Sequence, residues 1–567
     1  MLKAHQRWGL VAVTSAILAY CLTSRFGFVF DDRKQVLENS TLAHLGSIPG
    51  YFSHPGGYLV GDFSYYRPLF GVWTNLNYFM FGLHPSGWHI ALLLLHAFVV
   101  FLCFHMLLAL LGDVAAAATG ALIFAVHPIH VESVAWISGS TDPLAAAFLL
   151  VAFLSYLKAR EKPALIFFSW LAFAASLLCK ETALIFPFLI LSYALLLGDE
   201  NQRKLQSAVK SAAPYFAVTA IYTAVRIHVL GGFSHTLTPL PLKVVLLTLP
   251  SIVIFYLGLL LAPTGLSPFY DTPYIKTASV TGFLAPTLIL LMLGGILTVW
   301  VLHLRKSGQA KASRQVVFFL AWTIFLLVPA FNLTALDIGE IAHDRYLYLP
   351  SIGVCALIAL VMKGAGERLH LSVYFRNLAV AAVAIILCTA TIAQSVFWKD
   401  DMTLYKRGAS MAPANMGAQS NLANTYFEAG DFEHGIAVYK RILMLDPSFV
   451  NSYYNLGVAY YKLGDHAQAQ SYLQKAISLR PTPGSYFYLG LAQLKKGDLA
   501  SAQESLRVAT QWSPERFDFH AALAVVYEAE GKLPLALQEF EQALSLNLQN
   551  QTIRNEIAKI KAQLGQT

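Results

Sequence analysis

Asp31 and Asp32, in the segment FVFDDRKQVLEN, stand just beyond the first apolar run of the chain. Adjacent carboxylates at a membrane surface can hold a metal ion, or one of them can act as a base towards a hydroxyl. Further charge sits in otherwise apolar sequence. In YYRPLFGVW, Arg67 opens an aromatic stretch, where a guanidinium can pair with a lipid phosphate or snorkel to headgroups. AVHPIHVESVAWISGSTDPLAA gathers His127, His130, Glu132 and Asp142 at the junction of two apolar runs. LLCKETALIFP puts Lys180 beside Glu181, free to pair with each other or with a substrate. IGEIAHDRYLYLP sets Glu340, His343, Asp344 and Arg345 ahead of another apolar run. Ionisable groups at membrane depth are costly and usually functional. The His130–Glu132 spacing suits a metal or a proton-handling pair, but no third ligand is evident. His84, His89 and His96 read as satisfied structural histidines, and no metal site is expected.

These groups must be positioned by apolar helices. Hydrophobic residues make up 56% of the chain and charged ones 13%, about half the usual 25% or so of a soluble protein. The deficit lies in 1–398, where about twelve runs approach the roughly 20 residues that a membrane span needs. The net charge of +8 falls largely in short loops, the mark of cytoplasmic connections, and no basic, aromatic-interleaved face for nucleic acid appears. The cysteines all lie in or beside apolar runs without CxxC spacing, so no disulfide is expected. The first run follows a basic start without a small-residue cleavage site and reads as a retained span. Basic loops after the runs at 139–158, 181–198, 281–303 and 345–363 set the orientation. Pro250 interrupts the run at 244–262, so that segment is expected to re-enter rather than cross. About eleven spans then remain, with an external loop at about 25–87. The repeats described next would lie outside with it; a twelfth span would put them in the cytoplasm. The charged segments named above share that external side, as groups of one active site would.

Beyond a linker at 399–415, residues 416–567 repeat with a period of about 34. Small residues recur at Ala423, Gly457, Gly490 and Ala524, tyrosines at Tyr426, Tyr460 and Tyr527, and prolines at Pro447, Pro481 and Pro514. This is the tetratricopeptide (TPR) pattern, about four repeats, with a helix at about 551–565 as its cap. The fold class is all-α: a polytopic membrane bundle followed by an α-solenoid.

FVFDDR, YYRPL, HPIHVESVAW, CKET, RYLYLPS and FWKDDMTLY, followed by TPRs, occur in that order. The chain thereby resembles the transmembrane and tetratricopeptide-repeat O-mannosyltransferases of the GT-C glycosyltransferase superfamily, related to the protein O-mannosyltransferases. Short loops and modest size look bacterial. The resemblance implies transfer of a hexose, mannose in the family, from a polyprenyl-phosphate donor to Ser/Thr hydroxyls of exported proteins. It implies Asp31 as base with Asp32 in support. Arg67, Lys180 and Arg345 would face the donor phosphate. His130, Glu132, Glu181, His343 and Asp344 would orient substrates. It implies no required cofactor, while a divalent ion stays open. The TPR groove would recruit the acceptor. The site would face the periplasm of a bacterial inner membrane, or the lumen of the endoplasmic reticulum in a eukaryote. The rival readings are a GT-C transferase acting on a glycan or lipid, and a non-catalytic TPR scaffold.

Overall fold

The computed structural model describes residues 4–54, 65–232, 240–331, 333 and 341–565. Glu340 lies outside these. The described residues form helices and turns without strands, in two compact units, Met1–Ala412 and Pro413–Thr567.

The first unit is a polytopic membrane bundle. Among the described residues, eight helices are long and apolar enough to cross a membrane: His5–Arg25, Pro85–Leu111, Ile137–Lys158, Leu205–Leu230, Leu242–Leu261, Val280–Lys306, Ala310–Phe331 and Val373–Trp398. A ninth forms if Val114–Ala125 and Pro128–Ala135, bent by 48°, are counted as one span. The expected eleven differ for local reasons. The runs at 162–178 and 181–198 become Leu165–Cys179 and Glu181–Leu196. A helix of that length reaches only about 20–25 Å at 1.5 Å per residue, short of a hydrocarbon core of about 30 Å. The run at 345–363 becomes the helix Ser351–Arg368, which carries Lys363, Glu367 and Arg368 near its end. The segment expected to re-enter, Leu242–Leu261, is an unbroken 20-residue helix with Pro250 inside it.

The bend in the Val114–Ala135 pair has a sequence cause. Pro128 has no amide hydrogen to donate, and the Nδ1 of His127 accepts the Ile129 amide at 3.2 Å. From there to Ser140 the chain runs in short turns that are almost wholly buried. Irregular backbone at membrane depth is tolerated where protein encloses it. It frees backbone donors around 138 for use by side chains. A second break falls at Lys180, extended at φ −159°, ψ 137° between Leu165–Cys179 and the turn Glu181–Ile185. Residues 399–411, expected to be linker, belong to the first unit and include the helix Asp401–Met411.

The second unit consists of the helix pairs Met416–Glu428 with Phe432–Leu445, Val450–Lys462 with His466–Leu479, Pro483–Lys495 with Leu499–Trp512 and Phe517–Ala529 with Leu533–Leu546, closed by Gln551–Gln563. Asp431, Asp465 and Asp498 cap the second helices of the first three pairs, accepting the amides of His434, Gln468 and Ser501. Such side-chain acceptors satisfy amides the helix itself leaves unpaired. The small residues seen in the sequence sit where paired helices meet. A Cβ on Gly490 would come within 2.6 Å of Leu506 Cγ and 3.2 Å of the Ala502 carbonyl. Gly490→Val is therefore expected to destabilise this unit by about 1–3 kcal/mol. A thermal melt followed by limited proteolysis of the repeat unit checks this, and an unshifted midpoint would contradict the close packing.

Candidate functional site

The two adjacent carboxylates have different surroundings. Asp32 is fully buried. One oxygen accepts the Val29 amide at 3.1 Å, and the other accepts the amide and hydroxyl of Ser138 at 2.9 and 2.5 Å. It thereby pins the first loop to the turn Ile137–Ser140. Burial pushes its pKa up to about 7, against hydrogen bonds that favour the ionised form. Asp31 is partly exposed, and no side chain or amide among the described residues donates to its carboxylate. Burial raises its pKa above the usual carboxylate range, while the charges of Arg345 and Lys34 pull the other way. Asp31 is thus a carboxylate held in place by its neighbours and left unbonded.

Cations surround Tyr346. The guanidinium of Arg345 lies 5.4 Å from the Tyr346 ring and 5.5 Å from the Trp136 ring, and the Lys180 ammonium is 5.7 Å from Tyr346. Each cation has a carboxylate partner. Arg345 pairs with Glu132, which also accepts the Arg345 amide at 3.0 Å. Lys180 donates to both oxygens of Asp142 at 2.6 Å. Arg67 grips Glu181 through two hydrogen bonds, 2.9 and 2.6 Å, and its guanidinium stacks 4.5 Å from Tyr65. Lys180 and Glu181 therefore pair with different partners rather than with each other. Exposure sorts the set: Arg67, Glu181 and Arg345 retain 16%, 27% and 20% of their side-chain surface, against 4% for Lys180 and 1% for Glu132.

The remaining sequence candidates lie deeper. His130 is fully buried, bonded through Nε2 to Ser351 Oγ at 2.9 Å and packed 4.4 Å from the Phe124 ring. Its spacing to Glu132 suited a metal or proton-handling pair, and the resemblance implied an orienting role; the turn at Pro128 directs the imidazole into the core. His343 is buried, with Nδ1 3.8 Å from Glu132. Asp344 is buried and accepts the Tyr270 hydroxyl at 2.5 Å. Burial and the neighbouring Glu132 charge push Asp344 well above the usual carboxylate range. These three side chains are buried rather than facing outward. Among the described residues no group of three or more His, Cys, Asp or Glu is arranged to hold a metal ion.

Sequence reasoning missed several participants. Arg226, buried in the helix Leu205–Leu230, lies 3.8 Å from Glu181; a lone arginine inside an apolar helix was the available signal. Ser138 and Trp136 lie beside a motif already singled out. Asp401 accepts the Phe30 amide at 2.9 Å and Arg33 Nε at 2.6 Å, and FWKDDMTLY was its signal. Trp398 of the same motif stacks on Trp136 with ring centroids 5.9 Å apart.

The arrangement offers a carboxylate that accepts no hydrogen bond among the described residues, within electrostatic reach of Arg345, which in turn shares its surroundings with Lys180 and Arg67. It can deprotonate a hydroxyl and stabilise a phosphate.

Comparison with known proteins bears on what that chemistry serves. Family models described as "TPR repeat" match residues 423–464, and as "Tetratricopeptide repeat" residues 450–483 and 487–549. Protein O-mannosyl-transferase Tmtc3 of Drosophila melanogaster is 24% identical over 504 residues, covering 75% of this chain and 54% of the relative. Protein O-mannosyl-transferase TMTC3 of Homo sapiens is 25% identical, covering 72% of this chain and 48% of the relative. Human TMTC4 is 24% identical, covering 75% and 64%. The chain thus spans about half to just under two thirds of the length of these curated relatives. Among solved structures, a thermophilic TPR protein of Thermus thermophilus matches with 22% identity and a TM-score of 0.26, covering 31% of this chain and 93% of its own. MamA from Desulfovibrio magneticus RS-1 matches with 17% identity and a TM-score of 0.25, covering 26% and 85%. The chain is therefore a membrane protein similar over about three quarters of its length to proteins named protein O-mannosyl-transferase, with tetratricopeptide repeats at its C-terminal end.

Proposed function

We propose that this protein is a membrane glycosyltransferase that moves a hexose, mannose by kinship with its relatives, from a polyprenyl-phosphate donor to Ser/Thr hydroxyls of exported proteins. The observation that carries this reading is Asp31: a partly exposed carboxylate with no donor of its own, within electrostatic reach of Arg345. In the proposed reaction the acceptor hydroxyl gives its proton to Asp31 as its oxygen attacks the anomeric carbon. The bond from that carbon to the donor phosphate breaks, and the sugar inverts. Negative charge then accumulates on the leaving lipid phosphate, where Arg345 and Arg67 offer fixed cations. Lys180, paired with Asp142, adds positive field from behind. Glu181 holds Arg67 through a two-pronged side-chain contact, and Glu132 holds Arg345 through one guanidinium nitrogen and the Arg345 amide. Asp344, Tyr270 and His343 brace Glu132 and Arg345. The repeats would recruit the acceptor. A cavity of about 380 Å³ lined by Val525, Phe540 and Ile553 together with Glu528, Glu556 and Lys559 is one place in that unit able to take a side chain. The site would open on the periplasmic face of a bacterial inner membrane, the side to which flipped lipid-linked sugars are presented.

The test is transfer by the purified protein in proteoliposomes, given a panel of polyprenyl-phosphate sugars with and without Ser/Thr peptides. Lipid phosphate should be released only when donor and peptide are both present. Release with glycan acceptors alone would move the acceptor class, and no release with any pair would overturn the reading. The same assay has an expected pH dependence. Asp31 works only when ionised, so kcat should fall as pH drops through its raised pKa and level off above it. A limb centred near the ordinary aspartate value of about 3.9 would contradict the burial of this base.

A further inference from the structure

Phe30, the residue before Asp31, has φ +57°. A bulky side chain is a genuine outlier in that region of backbone space, and such a conformation persists only where the surroundings over-determine it. Here the surroundings come from far along the chain. The buried carboxylate of Asp401 takes the Phe30 amide on one oxygen at 2.9 Å and Arg33 Nε on the other at 2.6 Å. One carboxylate therefore holds the chain on both sides of Asp31. Asp400 caps the helix Asp401–Met411 by accepting the Thr403 amide at 2.7 Å, which fixes where Asp401 points. The Lys399 carbonyl accepts the Gly27 amide at 3.0 Å, and the Phe30 ring packs 5.4 Å from Trp136, 5.8 Å from Phe269 and 6.2 Å from Tyr405. Asp32 is fastened to Ser138 from the opposite side. Asp31 itself carries no such bond, so its aim is set entirely by its neighbours.

We propose that Asp401 is a positioning residue for the reaction. It stabilises the left-handed turn at Phe30 and so directs the Asp31 carboxylate at the acceptor hydroxyl. The inference rests on the reading of Asp31 as the base. The clamp lies at the head of the helix Asp401–Met411, within the first unit.

The experiment compares wild type, Asp31→Asn, Asp401→Ala and Asp401→Asn in the proteoliposome transfer assay, with the amount of folded protein measured for each. Asp401→Ala should lower kcat about 10²-fold, the scale of a misplacement near 1 Å, with the donor KM unchanged. Its acidic pH limb should shift, because the setting of Asp31 changes. Asp401→Asn still offers an oxygen to the Phe30 amide and should recover part of the loss. If Asp31→Asn is inactive while both Asp401 variants keep wild-type kcat, the positioning role is overturned and the base assignment stands. A fall in activity that only tracks the amount of folded protein, with the pH limb unmoved, overturns it equally. If Asp31→Asn remains active, the base assignment fails and this inference fails with it.

Discussion

Replacing Asp31 by asparagine should lower kcat for sugar transfer by about 10²–10⁴-fold, the usual contribution of a positioned general base. Donor binding should survive. Asparagine has nearly the same shape, and Asp31 makes no hydrogen bond that the fold would miss. The neighbouring Asp32→Asn should behave differently. Asp32 accepts the Val29 amide and both donors of Ser138. An amide there presents a donor to at least one group that already donates, so the loop itself should loosen. Measuring kcat, donor KM and melting midpoint for both variants separates the two roles. A base variant that melts normally but does not turn over supports the assignment. Normal turnover in Asp31→Asn would remove it.

Arg345→Ala should have the second large effect, on two readouts at once. Loss of a preorganised donor at developing charge costs about 10²–10³-fold in kcat. The same change takes the guanidinium from Glu132, of which only 1% of the side chain is exposed, and leaves it the residue-345 amide. Breaking a buried pair from one side costs about 3–5 kcal/mol. Arg345→Lys keeps the charge and the residue-345 amide that Glu132 accepts, but its single ammonium cannot offer the planar fork of a guanidinium to a phosphate, so it should recover stability more fully than rate. Turnover and a thermal midpoint both equal to wild type in Arg345→Ala would contradict the arrangement.

How far the sequence announced this arrangement depends on how local each signal was. The repeats were readable because each needs a small residue where two helices touch, as Gly490 against Leu506 illustrates. The site's members were readable as charges stranded in apolar sequence. Their pairing was not. Lys180 and Glu181 are neighbours, yet the extended backbone at Lys180 sends them apart, one to Asp142 and the other to Arg67. The difference between Asp31 and Asp32 was equally hidden, since it depends on Ser138, which lies 106 residues from Asp32. Asp401 lies 371 residues from Phe30, beyond any window of periodicity. His130 shows the converse: its spacing to Glu132 suited a metal or proton-handling pair, and the bend at Pro128 places its ring in the core, bonded to Ser351. The number of long apolar helices differs from the expected eleven for a related reason. Hydropathy registers an apolar run but not whether a break at Lys180 leaves two helices each too short to cross.

The central claim is that a hexose passes from a lipid phosphate to a protein hydroxyl with Asp31 taking the proton. Intact-mass analysis of an acceptor protein tests it most directly, after incubation with polyprenyl-phosphate mannose and either wild-type protein or Asp31→Asn in proteoliposomes, with released lipid phosphate counted in parallel. The expected result is one hexose gained per lipid phosphate released with wild type, and neither with the variant. Donor consumed without any gain in acceptor mass, or equal transfer by the variant, would contradict the account.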